Sequence, residues 1–164
     1  MLKSNAFQKF NLMIRNTITI ISLILFISCS KKIHTPLTAQ VNVVNEVKHK
    51  TIELRSVGFG AKKEDALYDS EKKVFEILFF RGIPNTSIET PLIGSNEPEL
   101  LNKYKSYFDS FFKYKYKSFI MSTSLASPMQ KDKGIFTSVN DVTINILSLK
   151  KDLEEHGIIR KFGF

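Results

Sequence analysis

The stretch from residue 51 to residue 80, TIELRSVGFGAKKEDALYDSEKKVFEILFF, changes its hydrophobic period once, at the sequence Gly-Phe-Gly. Ahead of the glycines, Ile52 and Leu54 alternate with charged residues, which predicts a half-buried β-strand over residues 51–57. Because glycine adopts backbone conformations that other residues avoid, we expect residues 58–60 to end this strand in a sharp turn.

C-terminal to the glycines, small or apolar side chains recur every three or four residues, as they do on the buried side of an amphipathic helix. This stripe consists of Ala66, Leu67, Ser70, Val74, Ile77 and Leu78. We expect the helix to end at residues 81–84, Arg-Gly-Ile-Pro, because glycine suits the left-handed position after the last turn and proline cannot continue a helix. This helix is the predicted structural centre of the domain.

A proline-rich loop separates this helix from the next one. Residues 84–98 contain three prolines and one glycine, which is typical of an ordered excursion over the surface or of a functional loop. Ile88, Leu92 and Ile93 are candidates to pin the loop to the core. Residues 99–112 then predict a second helix. Its apolar residues at helical spacing are Leu100, Tyr104, Phe108 and Phe111.

The C-terminal part of the chain predicts two strands and a short helix. Residues 118–125 and residues 135–147 have strand patterns and are separated by a polar, turn-rich segment, so we expect an antiparallel hairpin. Residues 149–156 predict a helix that Gly157 ends.

These segments predict a single α+β domain over residues 50–164. The expected architecture is a small, mostly antiparallel sheet of about three strands with two main helices packed on one face. The chain has 14 Phe and 5 Tyr but no Trp and one Cys, so we expect a phenylalanine-rich core without disulfides.

The first 28 residues have the character of a secretory signal. Residues 17–28 are uncharged and mainly Ile, Leu and Phe, and Lys3, Lys9 and Arg15 precede them without an acidic residue. Such a segment is too short to cross a bilayer, which takes about 20 apolar residues. We therefore expect residues 1–28 to be a signal peptide that is removed, with Met13 as an alternative initiator.

Residues 25–29, Leu-Phe-Ile-Ser-Cys, resemble the lipobox of bacterial lipoproteins, with Phe26 where that motif usually carries leucine. The resemblance implies that Cys29, the only cysteine, carries a diacylglycerol on its thiol and becomes an acylated N-terminus. It implies a lipid-anchored protein of the cell envelope, with the outer membrane favoured over the inner. The alternative, a buried cysteine in a core helix, fits poorly with the polar residues that follow directly.

Residues 29–49 are expected to be a tether between this anchor and the domain, because Lys, Pro, Thr, Gln and Asn are frequent in them. An edge strand is the alternative for the later part of this segment. The residues that favour such a strand are Val41, Val43, Val44 and Val47.

The sequence Val-Gly-Phe-Gly at residues 57–60, followed by Lys-Glu-Asp-Ala-Leu at residues 63–67, resembles small envelope domains that open with a strand, a G-x-G turn and an alanine-bearing helix. The amino-terminal domain of the flagellar protein FlgT and related small lipoproteins are of this kind. The strand at residues 142–146 and the helix after it are similar to how those domains end. The resemblance implies an interaction or assembly module that is not an enzyme.

No pattern in the sequence indicates a catalytic, cofactor or metal site. His34, His49 and His156 lack metal-ligand spacing, and no G-x-S-x-G sequence or complete dinucleotide fingerprint is present. We therefore predict a non-catalytic interaction or assembly module with no cofactor and no metal, whose partner is an envelope protein. The alternative function is an envelope hydrolase whose active site is dispersed along the chain.

Lysine and tyrosine alternate at residues 113–117, which on a strand would place the lysines on one face and the rings on the other. With nearby lysines they form a candidate surface for an anionic partner, either lipid headgroups or an anionic glycan. The lysines are Lys103, Lys105, Lys113, Lys115 and Lys117. Nucleic acid is not an expected partner in the inferred compartment. The alternative is that these lysines protect a sheet edge from aggregation.

Overall fold

The computed structural model describes residues 40–160, and its helices and antiparallel sheet confirm the α+β class. The sheet contains β1 (Val41–Val47), β2 (Thr51–Gly60), β3 (Ile120–Leu125), β4 (Gln130–Asp132) and β5 (Ile135–Asn145). The α-helices are α1 (Lys63–Phe80), α2 (Glu97–Lys103), α3 (Lys105–Lys113) and α4 (Ile146–Glu155), and a 3₁₀ helix covers Lys115–Phe119. The described residues thus form five strands and four α-helices, more than the roughly three strands and two helices that the sequence predicted.

The strands lie in the order β1-β2-β5-β3, and β4 pairs with a separate part of β5. All pairs are antiparallel. Alternation along β2 and β5 separates two faces of the sheet. The covered face carries the buried residues Ile52, Leu54, Ser56, Ser138, Asn140, Val142 and Ile144. The outer face carries residues that each keep some exposed surface, namely Glu53, Arg55, Val57, Phe59, Thr137, Val139, Asp141 and Thr143.

Strand β1 corrects the N-terminal boundary of the domain. It pairs with β2 from Val41 opposite Ser56 to Val47 opposite Thr51, with a shift of register between Val43 and Asn45. The edge-strand alternative is therefore confirmed for residues 41–47, and the domain begins before residue 50. The predicted signal, Cys29 and the first part of the tether lie outside the described residues.

The two glycines of β2 do not end the strand, which continues through Gly60. They lie where α1 packs against the sheet. A Cβ atom at Gly58 would stand 2.0 Å from the Ala66 carbonyl oxygen and 2.4 Å from the Ser70 nitrogen. The predicted sharp turn is wrong: these glycines allow a helix to approach the strand closely.

Helix α1 is the centre of the core, as the sequence predicted. Its stripe buries Val74, Ile77 and Leu78 together with three phenylalanines. The predicted end of the helix is also confirmed, because Gly82 has a φ of 73° and donates its N–H to the Ile77 carbonyl at 2.8 Å. Apolar residues from β2, β5, α3 and α4 complete the same cluster.

The loop over residues 84–98 is pinned to the core as expected. Ile88 is 2% exposed, and its carbonyl accepts a 2.7 Å hydrogen bond from the N–H of Ile83. The N–H groups of Leu92 and Ile93 donate to the carbonyls of Leu78 and Phe79, at 3.0 and 3.1 Å. The loop therefore satisfies carbonyl groups at the C-terminal end of α1.

The predicted second helix is divided at Tyr104, whose φ of −111° and ψ of 33° separate α2 from α3. Residues 115–119 form the 3₁₀ helix, although the alternation of lysine and tyrosine there is typical of a strand. The burial pattern explains why: Tyr116 and Phe119 are three residues apart, the period of a 3₁₀ helix, and both are buried.

The final strand and helix meet two residues earlier than predicted. Asn145 ends β5 and caps α4, because its side chain accepts a 3.0 Å hydrogen bond from the N–H of Ser148. Ile146 is consequently a helical residue buried in the core. Among the described helices, none combines the length and apolar character that a membrane crossing requires.

Candidate functional site

The five lysines of the predicted anionic-partner surface do not share one face, because residues 113–117 are not a strand. Lys105 and Lys113 line one groove. Lys115 pairs with Asp152 elsewhere, at 2.6 Å. Lys103 and Lys117 lie over the rings of their neighbours Tyr104 and Tyr116, at 5.0 and 5.9 Å from the ring centroids. The structure therefore keeps two of the five lysines together.

The groove lies between α1 on one side and α2 and α3 on the other, and its volume is about 630 Å³. It is lined by Tyr68, Lys72, Leu101, Asn102, Lys105, Phe108, Asp109, Phe112 and Lys113. Phe108 is 4% exposed, whereas the side chain of Lys105 is 69% exposed. The aromatic rings therefore form the inner part of the groove and the lysines its rim.

Helix α1 and helix α3 are held together at this groove. The hydroxyl of Tyr68 donates a 3.0 Å hydrogen bond to the carbonyl of Phe112. The ammonium of Lys72 lies 5.4 Å from the centroid of the Phe112 ring, a cation–π distance. One wall of the groove is thus fixed to the other by contacts between named side chains.

The lining carries three cations and one carboxylate. Lys72 pairs with Glu76 at 2.9 Å, and Lys105 pairs with Asp109 at 2.5 Å. Burial alone would lower the pKa of Lys72, but the hydrogen bond and charge of Glu76 raise it above its usual value. Lys113 makes no ion pair within residues 40–160. The groove is therefore positively charged at neutral pH.

The contribution of Lys72 could not be read from the sequence pattern. It lies off the apolar stripe of α1, where a lysine is usually a solvated charge. Only the packing of α3 against α1 brings it beside Lys105 and Lys113.

A second group of titratable side chains surrounds Asp152 of α4. Its Oδ2 accepts a 2.8 Å hydrogen bond from the hydroxyl of Tyr107, and its carbonyl oxygen lies 2.7 Å from Nδ1 of His156. Burial and the neighbouring carboxylate both raise the pKa of Tyr107. The ring of His156 lies 5.0 Å from that of Tyr107, and its Nε2 lies 3.5 Å from the Lys115 ammonium. This cluster joins α4 to α3 and the 3₁₀ helix.

Glu71 of α1 is a buried carboxylate whose contacts are satisfied. It is 7% exposed and accepts hydrogen bonds from the hydroxyls of Tyr116 and Thr123, at 3.1 and 3.0 Å. Burial and the charge of Glu71 raise the pKa of Tyr116. Across residues 40–160, no three His, Cys, Asp or Glu side chains are grouped so as to hold a metal ion.

No protein-family model, curated protein or solved structure matches this chain. The resemblances to bacterial lipoproteins and to FlgT-like domains therefore stay predictions.

Proposed function

We propose that the protein is a lipid-anchored component of the bacterial cell envelope whose domain is a non-catalytic interaction or assembly module. The observation that carries this proposal is the groove between α1 and α3, which combines an aromatic interior with a basic rim. Concave sites with apolar walls and a few charged groups are typical of binding surfaces.

The anchor is supported by residues 17–29, which combine a basic flank, a short apolar segment and a single cysteine. Two or more acyl chains on Cys29 would hold the protein stably on a membrane, with the outer membrane favoured over the inner. Strand β1 begins at Val41, so eleven residues, 30–40, separate Cys29 from the first strand. Fully extended, this tether would span roughly 36–40 Å.

The contacts that the titratable side chains make favour a binding role over hydrolysis. Asp152, Tyr107 and His156 contact one another and join helices. The groove is lined by lysines, one aspartate and one asparagine, and no histidine is among its lining residues. Lysines on a rim favour attraction of an anionic partner over proton transfer.

The anchor is tested by growing cells with radiolabelled fatty acid. We expect the label in the wild-type protein and none in Cys29→Ser, which should also leave the membrane fraction. Label on both proteins, or on neither, contradicts the proposed lipid anchor.

The module is tested by affinity capture from detergent-solubilised envelopes. We expect the wild type to retain an envelope protein partner and Lys105→Glu/Lys113→Glu to lose it. The matched control is Lys131→Glu/Lys133→Glu, which makes the same charge change on two exposed residues outside the groove lining. Retention by the groove variant and the wild type alike contradicts a role of the groove in partner binding.

A further inference from the structure

The groove has a charge, a size and a polarity that together restrict its ligand. Lys72 and Lys105 each pair with a carboxylate, that of Glu76 and that of Asp109, so Lys113 leaves the groove with one positive charge in excess. Phe112 and Leu101, both partly exposed, offer an apolar surface beneath those charges. A ligand that satisfies both features carries a negative charge next to an apolar part.

We propose that this groove binds the headgroup of an anionic phospholipid, with the lysines at its phosphate and the aromatic rings beneath its glycerol and first methylenes. The proposal rests on the proposed function, because it names the ligand of the same groove. Lysine binds phosphate as a mobile point charge, so no fixed fork geometry is required.

The groove is shallow and open, with a volume of about 630 Å³, so a ligand would lie in it with one side toward solvent. Its rim carries the cations and its inner part the rings, which is the arrangement that a phosphate joined to an apolar part requires.

The anchor keeps such a ligand within reach. The short tether limits the distance between the acylated cysteine and Gln40, so the domain stays close to the bilayer surface. Anionic lipids are then present at a high effective concentration, and a weak intrinsic affinity suffices. Lysines near an anionic membrane surface are attracted to its headgroups, and each such lysine adds to the affinity.

The test uses the unlipidated unit Thr35–Phe164, which contains the whole described core and is expected to fold alone. It is sedimented with phosphatidylcholine vesicles that contain or lack phosphatidylglycerol. We expect binding only to the vesicles with phosphatidylglycerol, and we expect it to weaken as salt rises.

The variant Lys105→Glu/Lys113→Glu should bind these vesicles at least about tenfold more weakly than the wild type, since two cations become two anions. The control Lys131→Glu/Lys133→Glu makes the same charge change outside the groove and should stay within about twofold of the wild type. Equal losses in both variants would show general charge attraction and overturn the site. Lys113→Gln serves as a milder second variant, because Lys113 is exposed and unpaired within the described chain.

A second measurement separates the sources of the phosphate. Short-chain phosphatidylglycerol, below its micelle concentration, should shift the amide resonances of Leu101 and Phe112. Glycerol phosphate alone should shift them much less, because it lacks the apolar part. Equal binding of glycerol phosphate would assign the groove to free phosphate esters and overturn the lipid proposal.

Binding of an acidic peptide through the groove, without binding to phosphatidylglycerol vesicles, would likewise overturn the lipid proposal. The proposed function is judged separately. Fatty-acid labelling of Cys29 and envelope capture do not depend on the vesicle result, so the lipid proposal can fail while the proposed function stands.

Discussion

The two ends of α1 pack against the rest of the protein in opposite ways. At the glycine end, defined by Gly58 and Gly60 of β2 with Ala66 and Ser70 of α1, helix and strand approach so closely that no Cβ fits between them. At the phenylalanine end, defined by Phe75, Phe79 and Phe80 of α1 with Phe108 and Phe111 of α3, large rings fill a wider space.

The glycine end is polar as well as narrow. The side-chain amide of Asn140 donates hydrogen bonds to the hydroxyls of Ser70 and Ser138, at 2.6 and 2.8 Å. The hydroxyl of Ser56, opposite Asn140 in the register, is buried without a hydrogen-bond partner among the described residues. Small polar groups are tolerated here because most of them bond one another.

The phenylalanine end is apolar and built from ring contacts. Phe79 lies 5.1 Å from Phe111 and 5.8 Å from Phe108, measured between ring centroids, and both pairs are edge-to-face. Such pairs stabilise a core by about 0.5–1.5 kcal/mol beyond the area they bury. One helix thus uses backbone proximity at its first turns and side-chain volume at its last turns. Residues on the outer face of β2 serve as controls for substitutions at both ends of α1.

The largest expected effect is that of Ile77→Asp at the phenylalanine end. Ile77 is 4% exposed, and a buried carboxylate without a partner costs several kcal/mol against a total stability of roughly 5–15 kcal/mol. We expect the variant to lack a cooperative thermal transition. Lys72→Asp, at a half-buried position on the polar side of the same helix, should lose about 1–2 kcal/mol, because it removes a partly solvated pair with Glu76 and the contact with the Phe112 ring. Coincident melting curves of the two variants would contradict the orientation of α1.

Phe79→Ala should destabilise the fold by about 3–5 kcal/mol, since it removes a fully buried ring and leaves a cavity. Phe59→Ala removes a ring of the same size from the outer face, where 41% of the residue is exposed. Its cost should be about 1 kcal/mol, mainly the contact with the Lys73 ammonium at 4.8 Å. Urea unfolding measures both values. Equal losses would mean that the aromatic cluster does not determine stability at this end.

Gly58→Ala tests the glycine end directly. The added methyl would meet the backbone of α1, which cannot turn aside as a side chain can, so we expect a loss of about 3 kcal/mol. Val57→Ala, on the outer face of the same strand, should cost about 1 kcal/mol. A Gly58→Ala variant as stable as the wild type would show that α1 can move away from β2 freely.

The sequence predicted part of the phenylalanine end, namely the α1 stripe beside it and Phe108 and Phe111 of α3, but not the three α1 phenylalanines themselves. A helical stripe that includes Val74, Ile77 and Leu78 is a repeating signal, and burial of such a stripe follows from its period. Gly58 and Gly60 give no comparable signal, because a glycine in a turn and a glycine beneath a helix look the same without the packing partner. Their role emerged only from the position of α1.

The errors in strand β1 and in the lysine alternation have the same cause: a sequence pattern does not show which element packs against it. Strand β1 buries only Val41 of its four valines, so its pattern resembles a tether. The alternation at residues 113–117 matched a strand, while the burial of Tyr116 and Phe119 follows the period of a 3₁₀ helix. The groove combines residues from three helices, and pattern reasoning within one segment does not reach such a site.

The smallest expected effect is that of a substitution at Asp141. This residue lies on the outer face of the sheet, which also holds the control positions for both ends of α1. Arg55 donates hydrogen bonds of 2.7 and 2.8 Å to its two carboxylate oxygens. These bonds lower the pKa of Asp141, against the opposing effect of burial. A carboxyl with a lowered folded pKa stabilises the fold fully above its unfolded pKa of about 3.9, and the contribution is lost as pH falls below that value.

Asp141→Asn should therefore be less stable than the wild type at neutral pH, and the two proteins should converge in strong acid. Arg55→Gln should reduce the pH dependence in the same way, and adding it to Asp141→Asn should change little further, since both remove one interaction. Urea unfolding at about pH 7 and about pH 2.5 measures the difference on either side of the unfolded pKa. A difference that is the same at both pH values would mean that the ion pair contributes nothing to stability.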